Sequence, residues 1–174
     1  MFEGIIRFFP FPYQAILIQL LLSFIIIFFE ISLSKIYFLY EISPLLLSIF
    51  IYFWIIEINF SPYWVYFTIG LFCDLFFSSF LGFISFSLLI SVGLLRFVNA
   101  PLICTNFSRK MLVFAIFLFV LKSIQLLLFF IIHFQFPDFE KIFFQILLTI
   151  FLYPLLNFFF NPLKLFINNI LSQG

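Results

Sequence analysis

Long apolar runs, separated by short segments that contain charges or prolines, fill most of the chain. A helix needs about 20 predominantly apolar residues to cross the hydrocarbon core of a bilayer, with a tolerated range of about 17–25. Charges and prolines divide the 174 residues into six such pieces, and the second, which begins at Pro44, is short. The pattern therefore predicts six transmembrane helices, at approximately residues 13–29, 44–58, 63–80, 81–98, 111–134 and 139–160.

Phenylalanine and β-branched residues also suit strands, which makes a membrane β-barrel the structural alternative. Barrel strands alternate between apolar residues that face lipid and polar residues that face the lumen, and these runs do not alternate. The chain is 66% hydrophobic and 9% charged, whereas about a quarter of the residues in a soluble domain are charged. We therefore predict an all-α integral membrane protein with one domain, 1–174, formed by a bundle of six transmembrane helices.

The basic residues of the predicted loops are unevenly divided between the two sides of the membrane. With the N-terminus inside, five of them are cytoplasmic and two are outside: Arg7, Arg96, Arg109, Lys110 and Lys164 against Lys35 and Lys141. Cytoplasmic loops carry an excess of Lys and Arg, so both termini are predicted to be cytoplasmic. The net charge of +1 argues against a nucleic-acid partner, which would favour a basic patch.

A polar stripe runs along the predicted third helix. Gly70, Asp74 and Ser78 follow one another at four-residue spacing and therefore share one helix face. A charge at the bilayer centre costs about 2.5–3.5 kcal/mol on insertion scales, so Asp74 is predicted to make an internal polar contact. Lys122, at a similar predicted depth in the fifth span, is the expected ion-pair partner, unless Asp74 is protonated and hydrogen-bonded to its neighbours. Such a pair could fasten helix packing, bind a partner protein or line a substrate or proton pathway.

The remaining polar chemistry is sparse. Glu30, Glu57 and Arg96 fall near predicted span ends, where charged side chains reach the headgroup region at little cost. One histidine and two cysteines provide neither an H-E-x-x-H motif nor a cysteine-based metal site. The chain contains no G-x-S-x-G sequence and no glycine-rich phosphate loop. We predict that the protein is not an enzyme and that it has no cofactor and no metal site.

The stretch GLFCDLFFSSFLGFISFSLL, which begins at Gly70, resembles the MreD rod shape-determining family. The family pattern is roughly G-L-x-x-D-L at a helix end, a turn of small residues, and P-L-G at the start of the next helix. Six residues match it in order and spacing: Gly70, Leu71, Asp74, Leu75, Leu81 and Gly82. The upstream segment from Pro44 resembles the short second helix of the family, with Tyr52, Trp54 and Pro62 at matching positions. Two departures are Phe80 in place of proline, and Ser78 with Ser79 in place of a glycine-containing turn.

The resemblance implies a non-catalytic inner-membrane scaffold subunit of the bacterial cell-elongation machinery (the elongasome), involved in rod shape and lateral peptidoglycan synthesis. It implies an MreC-like bitopic membrane protein as partner and, through it, MreB-like filaments and the RodA glycosyltransferase with its transpeptidase, in contact with membrane lipid. The candidate structural or partner-binding residues are Gly70, Asp74, Ser78, Gly82 and Lys122.

The family fold is similar to the substrate-binding subunits of energy-coupling-factor transporters, and a vitamin-capturing subunit of that kind is the alternative function. Two features disfavour it. The first helix has no Ala-x-x-x-Ala face for docking a transporter, and the predicted outer loop between the third and fourth spans has only a few residues.

Overall fold

The computed structural model describes residues 13–35, 45–58, 61–77, 80–99, 107–134 and 138–172, and this part of the chain is helical without any strand. Its six helices are α1 (Tyr13–Ser34), α2 (Leu46–Phe53), α3 (Tyr63–Phe77), α4 (Phe83–Asn99), α5 (Phe107–His133) and α6 (Phe139–Ser172). A π-helical segment, Trp54–Ile58, continues α2. The predicted all-α class is confirmed. By length and composition, α1, α5 and α6 are able to cross a membrane, while α2, α3 and α4 are shorter apolar helices.

Two helices extend well beyond the predicted bounds. Helix α1 continues past residue 29 to Ser34, because Glu30 faces the interior of the bundle and does not mark a boundary with water. Helix α6 continues past residue 160 to Ser172, with Pro154 and Pro162 inside it. Each proline removes one helical N–H donor, but prolines are tolerated in membrane helices where neighbouring groups satisfy the backbone.

Helix α1 buries its polar residues and exposes its large apolar residues. The buried face carries Gln19, Ser23 and Glu30, together with small or apolar residues such as Ala15 and Ile27. The opposite face exposes Leu17, Leu21, Ile25 and Phe28. In a water-soluble bundle the apolar face would be the buried one, so this inverted arrangement indicates that lipid surrounds the helix.

Helix α2 lies at the centre of the bundle, against α1, α5 and α6. Every residue from Leu47 to Phe53 is buried. The ring of Tyr52 lies 5.0 Å from that of Phe114 on α5 and 5.7 Å from that of Tyr153 on α6, measured between centroids. Its hydroxyl donates a 2.6 Å hydrogen bond to the carbonyl of Lys110, so one side chain holds three helices together.

Successive helices run in alternating directions, which gives the bundle two ends. One end contains the last turns of α1 and α3 and the first turns of α2 and α4, and we name it the Glu30 end. The opposite end contains the π-helical segment after α2 and the first turn of α5, and we name it the Glu57 end.

Helices α3 and α4 form the most extensive helix pair among the described residues, and their backbones approach closely at Gly70. A Cβ atom built on Gly70 would lie only 2.4 Å from the Cα of Ser85 on α4. Lipid provides no hydrophobic drive for helix association, so membrane helices pack through small residues that allow such an approach. The predicted internal face of Gly70 and Asp74 is confirmed, because both residues are buried.

We expect Gly70→Ala to force α3 and α4 apart and to lower the free energy of unfolding by about 1–3 kcal/mol, as overpacking typically does. The measurement is thermal unfolding of the purified protein in an uncharged detergent. Gly93→Ala in α4 is the matched control, because a Cβ at Gly93 would meet no atom within 4 Å. Equal unfolding temperatures for Gly70→Ala and the wild type would contradict the close approach.

Candidate functional site

The carboxylate of Asp74 caps the N-terminus of α4 from the neighbouring helix. One oxygen, Oδ1, accepts the backbone N–H of Ile84 at 2.6 Å. The other, Oδ2, accepts the N–H of Gly82 at 2.9 Å and that of Ser85 at 3.1 Å, and the Ser85 hydroxyl donates to it at 2.5 Å. The first N–H groups of a helix have no acceptor within the helix, and its N-terminus carries a partial positive charge. The Asp74 carboxylate accepts hydrogen bonds from these N–H groups and places a negative charge beside the positive end of the helix. Asp74 is only 1% exposed.

The turn between α3 and α4 depends on Gly82. This residue has a φ of +100°, in the left-handed region that glycine adopts without steric cost. Its N–H is one of the four groups that Asp74 binds. The predicted fourth span includes Gly82, whereas this residue lies in the turn before α4. Ser78, the remaining member of the predicted stripe, lies outside the described residues.

The predicted contact between Asp74 and Lys122 is wrong. Among the described residues, the hydrogen bonds to the Asp74 carboxylate come from α4 and the turn before it. Lys122 makes no hydrogen bond or ion pair to any residue that the structure describes. The charge that attracts it is that of Glu30 on α1. Similar predicted depth in the membrane did not identify the partner, because depth does not determine which helices are neighbours.

A cavity of about 220 Å³ lies at the Glu30 end of the bundle, and all six helices contribute to its wall. Most of the lining is apolar and includes the side chains of Cys73, Phe77, Phe83 and Leu121. Five polar residues also line it: Glu30, Ser48, Lys122, Gln125 and Gln145. The cavity therefore combines an apolar wall with one acid, one base and two amides, and this combination is typical of sites for small molecules.

Glu30 also caps a neighbouring helix. Its Oε2 accepts the N–H of Leu47, in the first turn of α2, at 3.2 Å. The N–H of Leu45, just before α2, donates to the hydroxyl of Thr149 on α6 at 3.1 Å. Glu30 is only 7% exposed, so its side chain faces the interior of the bundle and does not extend outward from it. Glu30 is not among the predicted site residues, although its eleven-residue spacing from Gln19 indicates a shared helix face.

A cluster of charged side chains lies at the Glu57 end of the bundle. The two carboxylate oxygens of Glu57 form ion pairs with the ammonium groups of Lys110 on α5 and Lys164 on α6. The Glu57 side chain lies in the π-helical segment and is 10% exposed, and π-helical turns frequently mark functional positions. No sequence signal pointed to this cluster, because its members are 53 and 107 positions apart.

A second polar network lies between α1, α3 and α4 at the same end. The hydroxyl of Ser61 donates to the side-chain carbonyl of Gln19 and accepts the indole N–H of Trp54 at 2.9 Å. The guanidinium of Arg96 donates to the Ser61 carbonyl and stacks over the ring of Tyr63 at 4.7 Å. These contacts fasten the segment before α3 to three helices, which suits a structural role.

No three His, Cys, Asp or Glu side chains lie close enough together to hold a metal ion within the described part of the chain. Comparisons with protein-family models, with curated proteins and with solved structures find no match to this chain.

We expect Asp74→Ala to destabilise the protein by about 2 kcal/mol or more, because it removes a helix cap and leaves buried N–H groups without an acceptor. Thermal unfolding in detergent measures the loss. Asp138→Ala is the control, because the Asp138 carboxylate is 72% exposed and, among the described residues, pairs with Lys141, and exposed ion pairs contribute at most about 1 kcal/mol.

Adding Lys122→Leu to Asp74→Ala should give the sum of the two single effects, because residues without contact or shared partners act independently. Recovery of stability in the double variant would show that Asp74 and Lys122 form a pair after all.

Proposed function

We propose that this chain is a non-catalytic scaffold subunit of the bacterial cell-elongation machinery, similar to the MreD family. One observation carries the proposal. Gly70, Asp74 and Gly82, three of the residues on which the family resemblance rests, serve the same joint between α3 and α4. Gly70 permits the close approach, Asp74 caps α4, and Gly82 provides the turn with positive φ. The spacing of the family pattern thus agrees with the physical needs of this helical hairpin.

A scaffold needs helices held in fixed relative positions and an outer surface that a membrane-embedded partner can contact. The capped α3–α4 hairpin meets the first need. For the second, α3 exposes Phe67, Leu75 and Phe76, and an apolar surface of this kind suits the single helix of a bitopic protein. The proposed partner is an MreC-like protein, with MreB-like filaments and the RodA–transpeptidase pair acting through it.

The charges of the described residues support an inner-membrane protein with six spans and both termini in the cytoplasm. The Glu57 end carries four basic residues and the Glu30 end carries two: Arg96, Arg109, Lys110 and Lys164 against Lys35 and Lys141. Because cytoplasmic ends of membrane helices are enriched in Lys and Arg, the Glu57 end is proposed to face the cytoplasm. The Glu30 cavity then faces the opposite side.

Purification of the tagged protein in an uncharged detergent should retain an MreC-like protein, and depletion should make rod-shaped cells round. Wild type and Asp138→Ala should restore the rod shape. Asp74→Ala, expressed to the same level in the membrane, should restore it poorly because the α3–α4 hairpin is loosened. Loss of uptake of a specific vitamin, with cell shape unchanged, would overturn the proposal in favour of the transporter alternative.

Labelling with a membrane-impermeant maleimide tests the orientation in a Cys104→Ser background, in which Cys73 is buried. Asp138→Cys, at the start of α6, should react in intact cells stripped of any outer barrier. Arg109→Cys, in the first turn of α5, should react only after the membrane is permeabilised. The reverse result would place the Glu57 end outside and would remove the topological support for the proposal.

A further inference from the structure

Lys122 is an unusual residue for the interior of this protein. It lies in the middle of α5, lines the Glu30 cavity and makes no hydrogen bond or ion pair with any described residue. A charged side chain inside a membrane protein is costly unless it is paired, and such residues mark functional sites by default. The position of the ammonium group therefore calls for an anionic partner.

Glu30 is the opposite charge in the same cavity, but it does not form a direct contact with Lys122. The two charges attract each other, yet their charged atoms lie beyond the 4 Å limit of an ion pair. Within the described part of the chain, one carboxylate oxygen of Glu30 is bound to the backbone, at Leu47. An acid and a base thus line one cavity with a gap between them.

The charge pattern selects the kind of molecule that fits this gap. A simple anion would be attracted by Lys122 and repelled by Glu30, and a simple cation would experience the reverse. A group that carries an ammonium and an acid a few ångströms apart is attracted by both residues. The amide of Gln125, which also lines the cavity, offers a further donor and acceptor for its polar atoms.

We propose that the Glu30 cavity binds a small zwitterionic group, with its acid on Lys122 and its ammonium on Glu30. The volume of about 220 Å³ corresponds to about seven waters at about 30 Å³ each, which is the size of an amino acid with an apolar side chain. The rings of Phe77 and Phe83 and the side chain of Leu121 belong to the apolar part of the wall, which would face the body of such a ligand.

Two sources supply this chemistry in a membrane. One is a free amino acid that enters from the aqueous phase, and the other is the headgroup of a zwitterionic phospholipid such as phosphatidylethanolamine. The site requires the same pair of charges in both cases. The proposal concerns the ligand of the cavity and does not depend on the scaffold function or on an MreC-like partner.

The test uses the purified full chain in an uncharged maltoside detergent and follows its unfolding temperature with three matched compounds. Phenylalanine carries both charges, whereas 3-phenylpropionate carries only the acid and phenethylamine only the ammonium. At about tenfold excess over the Kd, the zwitterion should raise the unfolding temperature by about 3–6 °C, and the single-charge compounds should not. In a parallel arm, short-chain phosphatidylethanolamine is compared with short-chain phosphatidylglycerol.

A shift with phosphatidylethanolamine alone assigns the site to a lipid headgroup, and a shift with phenylalanine assigns it to a free amino acid. No shift with either zwitterion, or equal shifts with the single-charge compounds, overturns the proposal.

Substitutions of residues in the cavity wall test whether the rise in unfolding temperature comes from binding in this cavity. Lys122→Met and Glu30→Gln should abolish the shift, whereas Lys141→Met, at the exposed ion pair with Asp138, should leave it unchanged. Glu30 also caps α2, so Gln125→Leu provides a milder variant that keeps this cap and should weaken binding about tenfold. A zwitterion shift that is undiminished in Lys122→Met and in Gln125→Leu would place the binding elsewhere and overturn the assignment.

Discussion

The carboxylate of Asp74 supplies acceptors to the first turn of α4, and the arrangement of the α3–α4 hairpin depends on this interaction. In hydrocarbon no water is present to bind the unpaired N–H groups at the start of a helix. A helix whose first turn is buried among other helices likewise needs an acceptor from another part of the protein. Asp74 meets this need for α4, and Glu30 on α1 meets it for α2. In both cases an acid near the end of one helix caps the start of the next, so the same physical constraint produces two joints.

The internal face of Asp74 could be predicted because helical periodicity is encoded locally. Gly70 and Asp74 are four positions apart, and the structure buries both. Its binding partner could not be predicted in the same way. Hydropathy gives the depth of Lys122, but the lateral order of helices follows from packing that a single sequence does not reveal. The role of Asp74 as a hydrogen-bond acceptor for the start of α4 could nevertheless be predicted from sequence, since Gly82 is only eight positions away.

Glu30 shows a second limit of sequence analysis. A charge at the edge of an apolar run is interpreted as the point where the chain meets water, and the first span was therefore ended at residue 29. The structure continues α1 to Ser34 and turns Glu30 inward. The α6 helix shows the corresponding effect for prolines, since it passes through Pro162. From sequence, a helix end is assigned where a charged residue or a proline interrupts an apolar run. In the folded protein the helix continues through such a residue when tertiary contacts satisfy its polar groups.

The shortness of α3 and α4 has a consequence for the surrounding lipid. At about 1.5 Å per residue, the 15 residues of α3 and the 17 of α4 cover about 23 and 26 Å, less than the hydrocarbon thickness of about 30 Å. Tyr63 and Trp64 are exposed at the first turn of α3, where aromatic rings anchor a helix at the headgroup level. If both helices cross the bilayer as proposed, acyl chains beside them must compress, at a cost of fractions of a kcal/mol per ångström of mismatch. The bilayer beside this hairpin is then thinner than beside α5 and α6, and proteins with similarly short spans would be drawn to that side.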